Sequence, residues 1–126
     1  MMNIQELIHL VNGVLLTPKS NLNREVKGAF AADLMSDVLA AIQPEAVLVT
    51  GLCNPQVIRT AQMAEVAAVI LVRGKNPPAE TINLANQEGI PFVSTPFGMF
   101  EVCGRLYSSG VKSLERPVDP DFCDCG

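Results

Sequence analysis

Short apolar runs separated by turns rich in Gly, Pro and Asn set the rhythm of the chain, and the runs follow two different periods. Ile4, Leu7, Ile8 and Val11 recur at helical spacing, the pattern of a helix with one buried face. Asn3 ahead of them and Glu6 three residues later form a capping-box signature, and Gly13 closes the element. Val14-Leu15-Leu16 reads as a short strand, followed by a polar loop from Thr17 to Asn23. Val26 to Ala31 is a weak strand candidate, diluted by Gly28 and by Ala29 and Ala31, with Ala32 following. Asp33 to Ile42 returns to helical period, with Leu34, Val38 and Ile42 on one stripe and Pro44 as the stop.

From residue 46 the apolar β-branched runs alternate with capped helical patterns at the spacing of parallel β-α units. Ala46 to Val49 is a buried strand; Gly51 follows, and Asn54-Pro55 opens a helix running to about Glu65. Ala68 to Val72 is the next strand; Gly74 follows, and Asn76-Pro77-Pro78 opens a helix that Gly89 ends in a left-handed cap. Pro91 to Ser94 is the last strand and Phe97 to Ser109 the last helix, with Phe100, Cys103 and Leu106 assigned to the core. The strand-Gly-Asn-Pro order occurs twice, either through internal duplication or because short strand-to-helix turns recruit these residues for backbone reasons. The expected fold is a three-layer α/β/α domain with a small, mostly parallel sheet. Residues 1–116 form the domain, and 117–126 a flexible, Cys-containing tail.

Composition narrows the function. The 126 residues carry 9 Lys+Arg against 13 Asp+Glu, a net charge of -4, with one Tyr and no Trp. Such a surface lacks the basic footprint and stacking aromatics of a nucleic-acid binder. No apolar run approaches the roughly 20 residues needed to cross a bilayer. The start of the chain shows no secretory pattern, so the cytoplasm is the expected location and the four cysteines are expected to stay reduced. His9, the only histidine, rules out a His-based triad or a multi-His metal centre within one chain, and Asp33, Asp37 and Glu65 show no paired carboxylate. No G-x-x-x-x-G-K-[ST] loop is present, so kinase activity is not expected, nor is any other catalysis.

In a parallel sheet the two Gly/Asn-Pro turns lie at the carboxyl edge, where ligands of open α/β folds collect. Helix starts offer free N–H groups and the positive dipole end to an anion. Thr50, Gly51 and Asn54 in the first turn, and Arg73 and Gly74 in the second, are candidate ligand residues, joined by Ser94 and Thr95 on the next strand. Arg73 directly follows a buried strand and is favoured over Lys75, which is assigned to solvent. Capping and packing explain the same turns without a ligand. In the tail, Cys123 and Cys125 place two thiolates one residue apart. They make half of a zinc or iron–sulfur site that a dimer would complete, or belong to an inert end.

The run from Val26 to about Gly110 resembles the DRTGG domain, the module found beside CBS domains in some regulatory proteins and pyrophosphatases. It is also similar to amino-terminal regions of HPr kinase/phosphorylase and some phosphate acetyltransferases. The matching pieces are Asp33 to Val38, the Val47 to Gly51 strand and turn, Gln56 to Glu65, Ala68 to Gly74 with Pro77 or Pro78, and Gly89 to Thr95. Where the family has an Asp-Arg-containing run after the Thr-Gly turn, this chain has Leu52-Cys53-Asn54-Pro55. The resemblance implies a regulatory or sensing role, a homodimer and a small anionic ligand or nucleotide. A protein-interaction role serving a redox or metalloenzyme system of the hydrogenase type is the alternative, with the Cys-x-Cys tail as its metal or redox half-site.

Overall fold

A computed structural model describes residues 2–117; the tail pair Cys123 and Cys125 lies outside the described residues. The elements are α1 (Ile4–Leu10), β1 (Val14–Leu15), β2 (Ala29–Ala31), α2 (Met35–Ala41), β3 (Val47–Thr50), α3 (Pro55–Met63), β4 (Ala68–Leu71), α4 (Ala79–Glu88), β5 (Phe92–Ser94) and α5 (Met99–Ser108). One five-stranded sheet runs β1-β5-β4-β3-β2. β2 to β5 are parallel neighbours, and β1 pairs antiparallel with β5.

Period-two alternation divides the sheet between two cores. Phe30, Leu48, Val69, Leu71 and Phe92 point to one face, where Val38 and Ile42 of the α2 end, Val57, Ile58 and Ala61 of α3, and Ala85 of α4 complete a cluster. Val47, Val49, Ala68, Ile70 and Val93 point to the other face, against Ile4 and Leu7 of α1 and Val102 and Leu106 of α5. Helices on both faces of one sheet make the expected three layers. Because β2 to β5 follow one another in order, α2, α3 and α4 all cross on one face. Only the chain leaving β5 turns to the other.

Several local expectations hold. Asn3 and Glu6 form both halves of the capping box, and Gly89 ends α4 with φ 69°. Others yield to tertiary contacts. α2 begins after an extended Leu34 (ψ 114°), which leaves Leu34 61% exposed instead of on the Val38–Ile42 stripe. Asn54 caps α3 in position but makes no side-chain capping bond, and the cap of α4 is Pro78, not Asn76. The two Asn-Pro pairs thus take different places at their helix starts. Phe100 is 93% exposed: α5 buries Val102 and Leu106, and at about 100° per residue Phe100 lies on the opposite side from Val102.

The direction of β1 has a local cause. The Thr95 hydroxyl donates to the Val11 carbonyl at 2.6 Å, so α1 ends at the carboxyl end of β5 and the chain runs back along it. At the opposite edge, Lys112 to Leu114 lies beside β2: Ala29 N–H donates to the Lys112 carbonyl at 2.9 Å, and Leu114 N–H to the Ala29 carbonyl at 3.0 Å. The first described residues reach the same stretch, with Val26 N–H donating to the Met2 carbonyl at 2.8 Å and a bridge between Asn3 and Glu25.

Gly28 permits this closure. A Cβ there would stand 2.5 Å from Leu114 Cγ and 2.8 Å from the Lys112 carbonyl oxygen. Gly28→Ala is expected to destabilise the fold by about 1–3 kcal/mol, as overpacking does, measured by urea unfolding. Thr60 Oγ1 is the one buried side-chain polar atom without a partner among the described residues. Thr60→Val keeps the shape and removes the unmet hydroxyl, so it is expected to raise the urea midpoint, by a stabilisation of about 1 kcal/mol.

Candidate functional site

The parallel register delivers four exit loops to one rim. Ala31 pairs with Val49, Thr50 with Leu71, and Leu71 with Ser94, so the residues just beyond each strand are neighbours. Continuing the β2–β3 register by two residues places Asp33 beside Gly51. The Asp33 Oδ1 accepts from Gly51 N–H at 2.6 Å and from the Thr50 hydroxyl at 3.2 Å. Thr50 Oγ1 in turn accepts from Leu52 N–H at 3.2 Å. On the other side of Gly51, the Lys75 ammonium donates to the Gly51 carbonyl. One peptide is thus held at its N–H by a carboxylate and at its carbonyl by an ammonium.

A side chain at 51 would make the Asp33 carboxylate give by a few tenths of an ångström. A Cβ would lie 3.3 Å from Asp33 Oδ1 and in ordinary contact, at 3.5 Å, with Lys75 Nζ. The β4 exit loop is fixed just as firmly to the β5 exit loop. Arg73 N–H donates to the Phe97 carbonyl and Gly74 N–H to the Thr95 carbonyl, both at 2.7 Å. Ser94 Oγ donates to the Lys75 carbonyl at 3.4 Å, and Thr95 Oγ1 accepts from Phe97 N–H at 3.2 Å. Arg73 and Gly74 both adopt left-handed φ values, 70° and 62°, a conformation that costs a non-glycine residue of order 1–3 kcal/mol and persists only where its surroundings impose it.

The residues singled out in the sequence therefore meet, and most are already engaged. Thr50, Gly51, Ser94, Thr95 and the backbone of Arg73 and Gly74 form one hydrogen-bonded rim with Lys75 and Asp33. Asn54 stands apart, exposed at the α3 cap. Thr50 and Thr95 are fully buried. The backbone donors expected to receive an anion are partly spent: Asp33 holds Gly51 N–H, and carbonyls hold those of Arg73 and Gly74. What the rim offers outward is the exposed side chains of Arg73 and Lys75. Neither takes part in an ion pair within 4.0 Å among the described residues. Sequence reasoning missed Asp33 because its partners are 17 and 18 residues away, and it set Lys75 aside because a lysine after a strand reads as solvated.

Among the described residues no group of three His, Cys, Asp or Glu side chains is placed to hold a metal, and no helix is long and apolar enough to cross a membrane. Cys53 and Cys103 are both half-buried free thiols. Burial raises the pKa of the Cys103 thiol, which keeps it protonated and unreactive at neutral pH.

A family model described as the DRTGG domain matches residues 6–109. The chain belongs to the DRTGG domain family. The match begins at Glu6, so it takes in α1 and β1 as well as the Val26–Gly110 run whose motifs carry the resemblance. No curated protein sequence matches the chain. Among solved structures, the fold is similar to that of the CBS and DRTGG domains of the regulatory region of Clostridium perfringens pyrophosphatase, complexed with the activator diadenosine tetraphosphate. The TM-score is 0.69 at 14% identity, over 97% of this chain and 53% of that one. This DRTGG chain thus spans about half the length of that structure.

Removing the Asp33 carboxylate leaves the Gly51 N–H and the Thr50 hydroxyl without their acceptor. Asp33→Ala is expected to cost about 1–3 kcal/mol in urea unfolding, and Asp33→Asn, which keeps one carbonyl oxygen, to cost less.

Proposed function

We propose that this DRTGG domain is a non-enzymatic regulatory module that senses a small anionic ligand of the nucleotide class at the carboxyl rim of its sheet, and that it acts as a homodimer. The observation that carries the ligand reading is the pairing of two exposed cations, Arg73 and Lys75, on a loop whose backbone is pinned to the β5 exit by two 2.7 Å hydrogen bonds. Cations on a fixed loop lose little freedom when an anion arrives, which favours binding. Asp33 already occupies Gly51 N–H, so the anion's partners in this reading are side chains, with Ser94 and Asn54 at the margins. The fold likeness to a regulatory region complexed with a dinucleotide activator supports the same class of ligand. Exposed cations are screened by salt, so affinity falls as ionic strength rises.

Thermal unfolding of the full chain with a panel of mononucleotides, dinucleotides and acyl phosphates tests this. A ligand present at 100 times its Kd stabilises by about 2.7 kcal/mol, and the shift is expected to vanish in the Arg73→Gly, Lys75→Met double variant. Glycine suits the left-handed backbone at 73, and unfolding of the variant without ligand measures separately what is lost with the Lys75–Gly51 hydrogen bond. Absence of any shift in the parent chain at millimolar ligand removes the sensing role.

A further inference from the structure

The last described residues run on a fixed course. Gln43 N–H donates to the Leu114 carbonyl at 2.9 Å and Arg116 N–H to the Ala41 carbonyl at 2.6 Å, so the chain from Leu114 to Arg116 runs antiparallel to 41–43, back along α2 toward its start. That start lies at the carboxyl rim, where Asp33, two residues before Met35, holds the Gly51 N–H. Lys75 reaches from the β4 exit to the Gly51 carbonyl, which brings its ammonium to the same end of α2. Asp33 itself forms no ion pair with Arg73 or Lys75 within 4.0 Å. Residues 118–126, outside the described residues, carry Asp119, Asp121 and Asp124 and neither Lys nor Arg.

We propose that segment 118–126 folds back along α2 and lays its aspartates on Arg73 and Lys75, as a built-in anion that a free nucleotide must displace. The reach is sufficient. The seven residues of α2 span about 10 Å, and Asp33 lies up to about 7 Å beyond. Extended chain gains up to about 3.5 Å per residue, which carries Asp121 about 17 Å and Asp124 about 28 Å past Arg116. Pro117 and Pro120 favour extended backbone at the residues before them, so the direction set at Arg116 is kept. Leu34, 61% exposed beside Asp33, gives Phe122 an apolar seat on the way. Exposed ion pairs are weak between separate molecules, but a short tether holds the acids at a local concentration of order millimolar. Nucleotide in that range then decides which anion the rim carries.

Docking of the segment stands apart from the ligand reading, whereas its displacement rests on that reading. Amide NMR spectra of the isotope-labelled full chain test both. Without ligand, the Asp121→Asn, Asp124→Asn double variant is expected to shift the signals of Arg73, Gly74 and Lys75. The Arg73→Gly, Lys75→Met double variant is expected to shift those of Phe122 to Cys125 in return. Rim signals that stay in place in the aspartate variant overturn the docking, and this variant leaves every described residue unchanged. ADP added to the parent at millimolar concentration is expected to move the signals of Phe122 to Cys125 toward their positions in the rim variant. Rim and tail signals that ignore ADP, while the two variants still shift each other's segments, overturn the displacement and the nucleotide reading and leave the docked segment standing.

Discussion

Every residue of Val47–Thr50 and Ala68–Leu71 is buried, so the two central strands offer neither a face nor an edge to water. Backbone groups buried on both sides must find partners in neighbouring strands, which forces β2 and β5 into place beside them. Side chains above and below must then be covered by helices. Because each crossover returns to the same end of the sheet, all four parallel strands leave at a common rim. The position of the rim is thus a consequence of double-sided burial and needs no ligand to explain it.

At the rim, backbone groups released by the ending strands are satisfied by side chains and by neighbouring loops. Asp33 and Lys75 divide the Gly51 peptide between them, and the β4 and β5 exits bind each other through Arg73, Gly74, Thr95 and Phe97. The adjacent strands β4 and β5 lead to α4 and α5 on opposite faces, the arrangement that opens a crevice in other α/β sheets. Here main-chain hydrogen bonds bridge that gap. A ligand would rest on the bridge through side chains, in contrast to a phosphate loop, where the backbone itself forms the cradle.

Strand placement and the layer order were legible because doubly buried strands leave continuous apolar runs such as Ala68 to Val72, while capping and Gly89 mark helix ends through local chemistry alone. Leu34 and Asn76 escaped because the starts of α2 and α4 answer to tertiary contacts. The direction of β1 was hidden because two residues carry no directional signal; it follows from where Thr95 holds the end of α1. Phe100 was assigned to the core since an aromatic at helical spacing fits either side of a helix, and only the phase of Val102 and Leu106 decides between them. Of the rim, the glycines and threonines could be read from the strand ends. Asp33 and Lys75 became visible only once the strand register set them beside Gly51.

The stretch from Glu25 to Ala29 is gripped from two directions, by Met2 and Asn3 at one side and by Lys112 to Leu114 at the other. Segments more than a hundred positions apart in sequence therefore share a single clasp. The loss of either margin leaves the stretch that secures the other held from one direction alone, so fraying of one is expected to lower the protection of its counterpart.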